Sequence, residues 1–311
     1  SSNRDGTISD VNFGEDVLND RDRFGGRIQA LYTPSEDISV RVIADYAEID
    51  EICCGAPVQL SNFQANEIPG KFGTDAILPT LGGTVFEGGN AFYDREVAVS
   101  FLPVATMKDR GISAELDWEL DENYTFVSIS AFRSFDSYDN IDSDFTDADL
   151  FGTSNDSEQS SFSQEFRLDY TSDDLNFILG AYYFTQDLDL DYSLYTDSIF
   201  EGFALGVLGQ TVDGLTGAAG SFDGLLAGID GLASAGLIAP RAAAAPAGTG
   251  FDHVAEQEHK SYAVFGQFDY KLNDQFTLTA GLRFTKEEKD LLTVFTEVGP
   301  GINGLAGNTP V

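Results

Sequence analysis

The segment SYAVFGQFDYKLNDQFTLTAGLRF, at residues 261–284, alternates apolar and polar residues in two runs. Successive side chains of a strand point to opposite faces, so each run presents one apolar face and one polar face. The stretch between the runs carries Asn273 and Asp274, which favour a turn through local hydrogen bonds. This segment therefore predicts a two-faced antiparallel hairpin.

The same alternation recurs along the chain. It predicts about eight long strands of ~9–12 residues, in hairpins at about 23–49, 109–135, 158–190 and 257–288. One return strand is less regular, and there Val127, Ile129 and Ala131 form the apolar set opposite Ser128 and Ser130. The pattern favours an all-β, antiparallel architecture.

The connections between the predicted strands alternate in length. Turns within the hairpins are short, whereas the links between hairpins, at about 50–108, 136–157 and 191–256, are far longer. Structureless loops beyond about 15 residues are uncommon in compact domains. Short turns at one rim and long extracellular loops at the other are typical of an outer-membrane β-barrel.

Aromatic residues lie near the ends of the predicted strands, on the apolar side. They are Tyr32, Tyr46, Trp118, Tyr170, Tyr262 and Tyr270. Tyr262 and Tyr270 are eight residues apart, which on a strand tilted by about 40° spans roughly 20 Å, close to the height of a lipid-facing band. Interfacial tyrosines keep the ring in lipid and the hydroxyl in water. We therefore expect the apolar face to contact lipid in a closed barrel, which pairs every backbone group.

The opposite face of these strands carries charged and polar residues in mid-strand. In a barrel this face lines a wet or plugged lumen. The predicted lumen-facing residues are Arg23, Arg27, Arg41, Asp45, Glu115, Asp117, Glu165, Arg167, Asp169, Gln267, Asp269 and Arg283.

Several of these segments resemble a known family. The hairpin SYAVFGQFDYKLNDQFTLTAGLRFTKEEKD, together with FSQEFRLDY, GAYYF, FGGRIQALYTPSEDISVRVIADY and DEICCG, is similar to the barrel of TonB-dependent outer-membrane receptors in the form common in sphingomonad-type bacteria. The resemblance covers most of residues 10–290. It implies a barrel of about 22 strands in the cell outer membrane, an N-terminal plug, and nutrient uptake driven by the TonB complex.

The chain departs from that family pattern at both ends. We find no plug, no TonB box and no C-terminal aromatic strand, so residues 1–311 are expected to form a partial barrel domain. The implied partners are lipid and lipopolysaccharide of the outer membrane, the TonB complex through regions absent here, and an unidentified small nutrient. Two alternatives stay open: an acidic, Ca²⁺-dependent surface protein that assembles with copies of itself or a host complex, and a passive porin-like barrel.

Two local features suggest binding or redox chemistry. The stretch FDSYDNIDSDFTDADLFG offers the oxygen ligands that Ca²⁺ prefers, without EF-hand spacing. Its candidate ligands are Asp139, Asp142, Asp144, Asp147 and Asp149, and a solvated acidic loop is the alternative interpretation. Adjacent Cys53 and Cys54 could form a strained vicinal disulfide or stay as separate thiols.

The composition argues against two further classes of function. A net charge of −35 leaves no basic patch for nucleic acid phosphates. No nucleophile has a recognisable base nearby, and His253 and His259 match no zinc spacing, so we do not expect an enzyme.

Overall fold

A computed structural model of the chain describes residues 1–59, 77–86, 90–206 and 246–299, with isolated positions at 220, 224, 227, 232 and 234–236. Nine antiparallel strands form one main sheet, in which they lie side by side in their order along the chain. Their bounds are β1 (Ser2–Arg4), β4 (Arg21–Tyr32), β5 (Ile38–Glu51), β7 (Val104–Glu119), β8 (Tyr124–Asp142), β9 (Phe151–Thr171), β10 (Leu175–Thr196), β11 (Gly250–Asn273) and β12 (Phe276–Val298).

Each of the long strands pairs with the strand that follows it in this sheet, so the sheet is a meander. Turns of two to five residues, at 33–37, 120–123, 172–174 and 274–275, lie at one end, which we call the turn end. The connections that follow β1, β5, β8 and β10 begin and end at the opposite end, which we call the loop end. The alternation of short and long connections thus agrees with the sequence analysis.

The strands extend farther toward the loop end than the sequence analysis predicted. The predicted hairpins at 23–49, 109–135, 158–190 and 257–288 occupy 21–51, 104–142, 151–196 and 250–298. β10 has 22 residues, which at ~3.3 Å each and a tilt of about 40° reaches roughly 55 Å, about twice a lipid-facing band. The extension of β10 still alternates, as DLDLDYSLY, but Asp187 and Asp189 now take the side that Leu179 and Ala181 hold nearer the turn end.

The pairing register defines two faces of the sheet. Val42 of β5 lies opposite Ala30 of β4 and Ala114 of β7, and this parity continues through Phe166, Ala181, Val264 and Phe284 on the later strands. We call this side the apolar face and the other side the polar face.

The face assignment of β8 from sequence was wrong. Val127 and Ile129 lie opposite Asp117 and Glu115, so the set Val127, Ile129 and Ala131 belongs to the polar face. Ser128 and Ser130 belong to the apolar face, together with Phe126 and Phe132. The two serines and the three apolar residues have exchanged the expected sides because the register follows the neighbouring strands, not the hydrophobicity of β8 alone.

The described part of the main sheet has no second layer packed over its apolar face. Large apolar side chains there are open, with Ile28 71% and Leu282 81% exposed. Aromatic rings lie at both ends of this face. Tyr170 stacks on Phe177 near the turn end, and Tyr183 contacts Tyr262 nearer the loop end. An exposed apolar area of this extent indicates a surface that contacts a membrane or another molecule.

The compact apolar cores lie at the loop end. A small sheet of β2 (Ile8–Asp10), β3 (Gly14–Leu18) and β6 (Glu96–Val97) packs around Leu18, which is fully buried. A second cluster joins the 3₁₀ turn Leu78–Leu81 to Ala148, Leu150 and Phe200. The short helix α1 (Asn90–Asp94) precedes β6. None of the described helices has the length and apolarity of a membrane span.

Candidate functional site

Charged and polar side chains occupy the polar face of most strands of the sheet, with an interruption on β8 at Val127, Ile129 and Ala131. All twelve polar residues predicted from sequence share it, because their registers place them on the parity of Asp117 and Glu115. Adjacent strands bring opposite charges together: Arg41 contacts Glu115, and Arg23 forms a bidentate pair with Glu51, at 2.5 and 2.9 Å. Cross-strand pairs of opposite charge stabilise a sheet.

Arg133 is the centre of a network that the sequence analysis missed. Its guanidinium donates to Asp45 at 2.9 Å and to Asp109 at 2.5 Å, which links three strands. Gly111 makes this possible, because a Cβ at that position would lie 3.0 Å from the Arg133 Nη2 atom. Arg133 shares the parity of Val127, so a correct face assignment for β8 would have identified it.

Arg167 and Arg283 occupy the part of the polar face on β9 to β12. Arg167 pairs with Asp169 at 3.1 Å and lies 3.8 Å from Glu165. Arg283 lies over the rings of Tyr182 and Phe265, 5.8 and 5.4 Å from their centroids, which is a cation–π arrangement.

The remaining predicted residues on this face lie outside these ion-pair networks. Asp269 accepts a hydrogen bond of 2.5 Å from Thr279, and Asp117 accepts one of 3.5 Å from Ser39. Arg27 lies opposite Asp45, and Gln267 lies opposite Ile178.

At the loop end, aspartates tie neighbouring connections to one another. Asp10, 2% exposed, accepts a hydrogen bond of 2.8 Å from the Val99 backbone N–H. Asp147 accepts from Thr84 N–H at 2.5 Å, from Thr84 Oγ1 at 2.7 Å and from Asn12 Nδ2 at 3.2 Å. These carboxylates satisfy backbone donors that would otherwise be left unpaired in irregular segments.

Two more aspartates of the acidic stretch make similar contacts. Asp149 accepts from the N–H and hydroxyl of Ser198, at 3.2 and 2.5 Å. Asp142, 1% exposed, accepts from the N–H and hydroxyl of Ser100, at 2.6 and 3.0 Å. Through Asn12, Thr84, Val99 with Ser100, and Ser198, these contacts tie the described parts of the four connections to one another at the loop end.

The five predicted Ca²⁺ ligands are not gathered at one point. Asp139 accepts from Asn155 at 3.2 Å, and Asp144 accepts from the Phe151 and Thr146 N–H groups at 3.0 Å each. Across the described ranges, no three acidic, histidine or cysteine side chains converge as a metal site would require. Ca²⁺ binding at these aspartates stays a prediction.

The ionisation of these loop carboxylates differs with their surroundings. Burial raises the pKa of Asp142 to about 7, and the neighbouring Asp144 carboxylate adds to that rise. Burial also raises the pKa of Asp144. For Asp147, burial opposes ionisation, but the hydrogen bonds from Thr84 and Asn12 together hold its pKa below the ordinary value.

Cys53 and Cys54 lie just after the end of β5, beside the small sheet. The structure joins their sulfurs in a vicinal disulfide. The next residue, Gly55, donates its N–H to Asn19 at 3.1 Å and lies against Ile8 and Leu18, so this segment is docked on the loop-end core.

Comparisons with known proteins agree with this architecture. The family model described as TonB dependent receptor-like, beta-barrel matches residues 58–304. Among solved structures, the ferric yersiniabactin uptake receptor FyuA from Yersinia pestis aligns with a TM-score of 0.59 at 10% identity, over 95% of this chain and 34% of that chain.

Two further solved structures match with lower scores. The ferric citrate transporter FecA in its unliganded form gives a TM-score of 0.46 at 11% identity, over 89% of this chain and 32% of that one. The ferric preacinetobactin receptor BauA from Acinetobacter baumannii gives 0.42 at 10% identity, over 91% and 38%. No curated protein matches the sequence.

The chain spans about a third of the length of the solved structures that it matches. Its short turns, long connections and two-faced main sheet are those of an outer-membrane barrel section. The family model covers well over half of the sequence. The chain therefore belongs to the TonB-dependent receptor β-barrel family.

Proposed function

We propose that this chain forms part of the wall and extracellular mouth of a receptor that imports a nutrient across the outer membrane with energy from TonB. The observation that carries the proposal is the division of one sheet into two faces. The apolar face is bounded by aromatic rings and open, whereas the polar face is laced with ion pairs such as Arg41 with Glu115 and Arg133 with Asp45.

In this proposal the apolar face lies against outer-membrane lipid, and the polar face lines the lumen. Charged side chains on the lipid side of a barrel are destabilising at the midplane, whereas charges in the lumen are tolerated and tune selectivity. The turn end then faces the periplasm and the loop end faces the exterior. TonB and the nutrient would be engaged with the participation of regions outside this chain.

The loop end forms the outer mouth in this proposal. Its connections are fastened to each other by carboxylates, with Asp10 holding Val99, Asp142 holding Ser100 and Asp147 holding Thr84. In the proposed orientation this layer lies where an imported ligand first meets the chain. The identity of that ligand does not follow from the fold, because the same barrel serves many cargoes.

The experiment compares uptake in three strains: the parent, a strain lacking the receptor that contains this chain, and a strain lacking TonB. Cells receive ⁵⁵Fe-loaded siderophores, labelled cyanocobalamin and labelled maltodextrins in parallel. We expect accumulation of one cargo to fall in both deletion strains and to return on complementation. Unchanged accumulation of every cargo, or a loss that does not require TonB, would contradict the proposal.

A further inference from the structure

The chain makes a tight turn at residues 52–55, directly after β5, which we call the cysteine turn. The vicinal disulfide occupies its centre. On one side of the disulfide, Ile52 packs against the small apolar core around Leu18. On the other side, a Cβ added to Gly55 would lie only 3.2 Å from side-chain atoms of Ile8 and Leu18. Both ends of the cysteine turn therefore lie against the same core.

Asn19 holds both ends of the cysteine turn. Its backbone N–H donates to the Ile52 carbonyl at 2.8 Å, and its side-chain oxygen accepts from the Gly55 N–H at 3.1 Å. The Asn19 side-chain nitrogen also donates to the Gly55 carbonyl, at 3.4 Å. The Ile52 N–H donates to the Asp20 carboxylate at 2.6 Å. The backbone N–H groups of Asn19, Ile52 and Gly55 therefore report whether the turn is docked.

The disulfide helps these ends to meet. A bond between the side chains of adjacent residues closes a small ring around the peptide that joins them, so both residues lose most of their backbone freedom before the turn docks. Without the bond, Cys53 and Cys54 regain that freedom, and docking then carries a larger loss of conformational entropy. The hydrogen bonds to Asn19 lie at a partly exposed site and contribute modest net stability. Reduction should therefore shift the turn toward an undocked state.

A small thiol can reach the sulfurs, because both cysteines are partly exposed. A thiolate of a small dithiol attacks one sulfur and forms a mixed disulfide, and the other cysteine leaves as a thiolate and takes a proton. The second thiol of the reductant then displaces the first cysteine. The protein gains two electrons and two protons in total, and the dithiol becomes a disulfide. Exchange with a small disulfide reverses both steps.

We propose that Cys53 and Cys54 form a redox latch at the loop end, which is closed as the disulfide and is opened by a small thiol. Opening frees the cysteine turn, after β5, from Asn19, just before β4. The pairing of β2 with β6 and the hydrogen bond from Val99 to Asp10 do not pass through the turn, so they stay in place. The latch thus controls one defined link of the loop end, whatever cargo the receptor imports.

The test is hydrogen–deuterium exchange of the folded receptor that contains this chain, before and after treatment with dithiothreitol. Alkylation with iodoacetamide and peptide mass spectrometry report the redox state of the pair. We expect no alkylation of the two cysteines before reduction and one added group on each afterwards. The Asn19, Ile52 and Gly55 amides should then exchange at least ~10-fold faster, while the Val99 amide should not change.

Two variants separate the latch from a general effect of the reductant. Cys53→Ser with Cys54→Ser should exchange at the three amides as the reduced receptor does, with or without dithiothreitol. Asn19→Gly suits the positive φ of 58° at this position but removes the side-chain contacts, so it should speed exchange of the turn while the disulfide is intact. Asn123→Gly, which removes a side-chain hydrogen bond at the turn end, is the matched control and should not.

Four results would overturn the latch. They are alkylation of both cysteines without reductant, resistance of the pair to dithiothreitol, equal exchange in the oxidised and reduced receptor, and a response to dithiothreitol that persists in the double serine variant. Uptake by the same variants bears only on the transport proposal, because the latch is measured by alkylation and exchange alone.

Discussion

Removal of the Asp147 carboxylate should release residues 77–86 from the layer at the loop end. Asp147 accepts three hydrogen bonds, two from Thr84 at 2.5 and 2.7 Å and one from Asn12 at 3.2 Å. A hydrogen bond to a charged group contributes ~1.5–3 kcal/mol, and the low end applies at a partly exposed site. Asp147→Ala also leaves the Thr84 N–H unpaired, so we expect local opening to become easier by about 2–3 kcal/mol.

Hydrogen–deuterium exchange of the folded receptor measures this opening directly. A change of about 2–3 kcal/mol corresponds to roughly 30- to 160-fold faster exchange, which we expect for residues 77–86 and, to a lesser degree, around Asn12. Asp121→Ala is the matched control, because Asp121 accepts backbone hydrogen bonds of 2.8 and 2.9 Å in a turn at the opposite end. Unchanged exchange at residues 77–86, or acceleration spread evenly over all loops, would refute the role of Asp147.

Three other perturbations test the loops and the polar face. Burial raises the pKa of Asp142 to about 7 in the folded chain, so the stability that its protonated carboxyl contributes is complete at acid pH and is lost as pH rises through 7. Hydrogen exchange of residues 98–103, corrected for the intrinsic pH dependence of amide exchange, should therefore accelerate from pH 6 to 8. An Asp142→Asn variant that keeps the full pH response would contradict this. Gly111→Val should displace Arg133 from Asp45 and lower the melting temperature of the barrel, whereas Gly26→Val, with open space around it, should not. Because Arg133 is well exposed, we expect the free energy of unfolding to fall by only about 1 kcal/mol. Equal melting temperatures for the two variants would count against the network. If the acidic stretch binds Ca²⁺, EDTA should speed exchange of residues 143–150 and added Ca²⁺ should restore it, and identical exchange with and without EDTA would dismiss that prediction.

The sequence predicted the hairpins because lipid imposes a strict period on the strands that it contacts. Val40 and Val42 flank Arg41, Ala44 and Tyr46 flank Asp45, and their register in the sheet is the one that this pattern favours. On β8 the pattern failed, because Val127 is 3% exposed on the polar face among neighbouring side chains while Ser128 takes the apolar face. An individual strand tolerates such exceptions when its neighbours fix the register.

Other parts of the structure depend on contacts between residues far apart in sequence. Arg133 joins Asp45 only because Gly111, on the strand between them, leaves room for the guanidinium. The small sheet β2-β3-β6 pairs residues more than 80 positions apart and has no local period to identify it. The lengths of the strand extensions were underestimated, because beyond the lipid-facing part the side that carried apolar residues carries carboxylates instead, as at Asp187 and Asp189 of β10.

The central claim is that the apolar face contacts lipid and the polar face contacts an aqueous or protein-filled lumen. Spin labels placed singly along β7, at Ser113, Ala114, Glu115 and Leu116, report this directly in receptor reconstituted into bilayers. We predict that labels at Ala114 and Leu116 collide with membrane-dissolved oxygen and are shielded from a water-soluble nickel complex. Labels at Ser113 and Glu115 should show low collision with oxygen. Uniform accessibility along the strand, or the opposite alternation, would contradict the account.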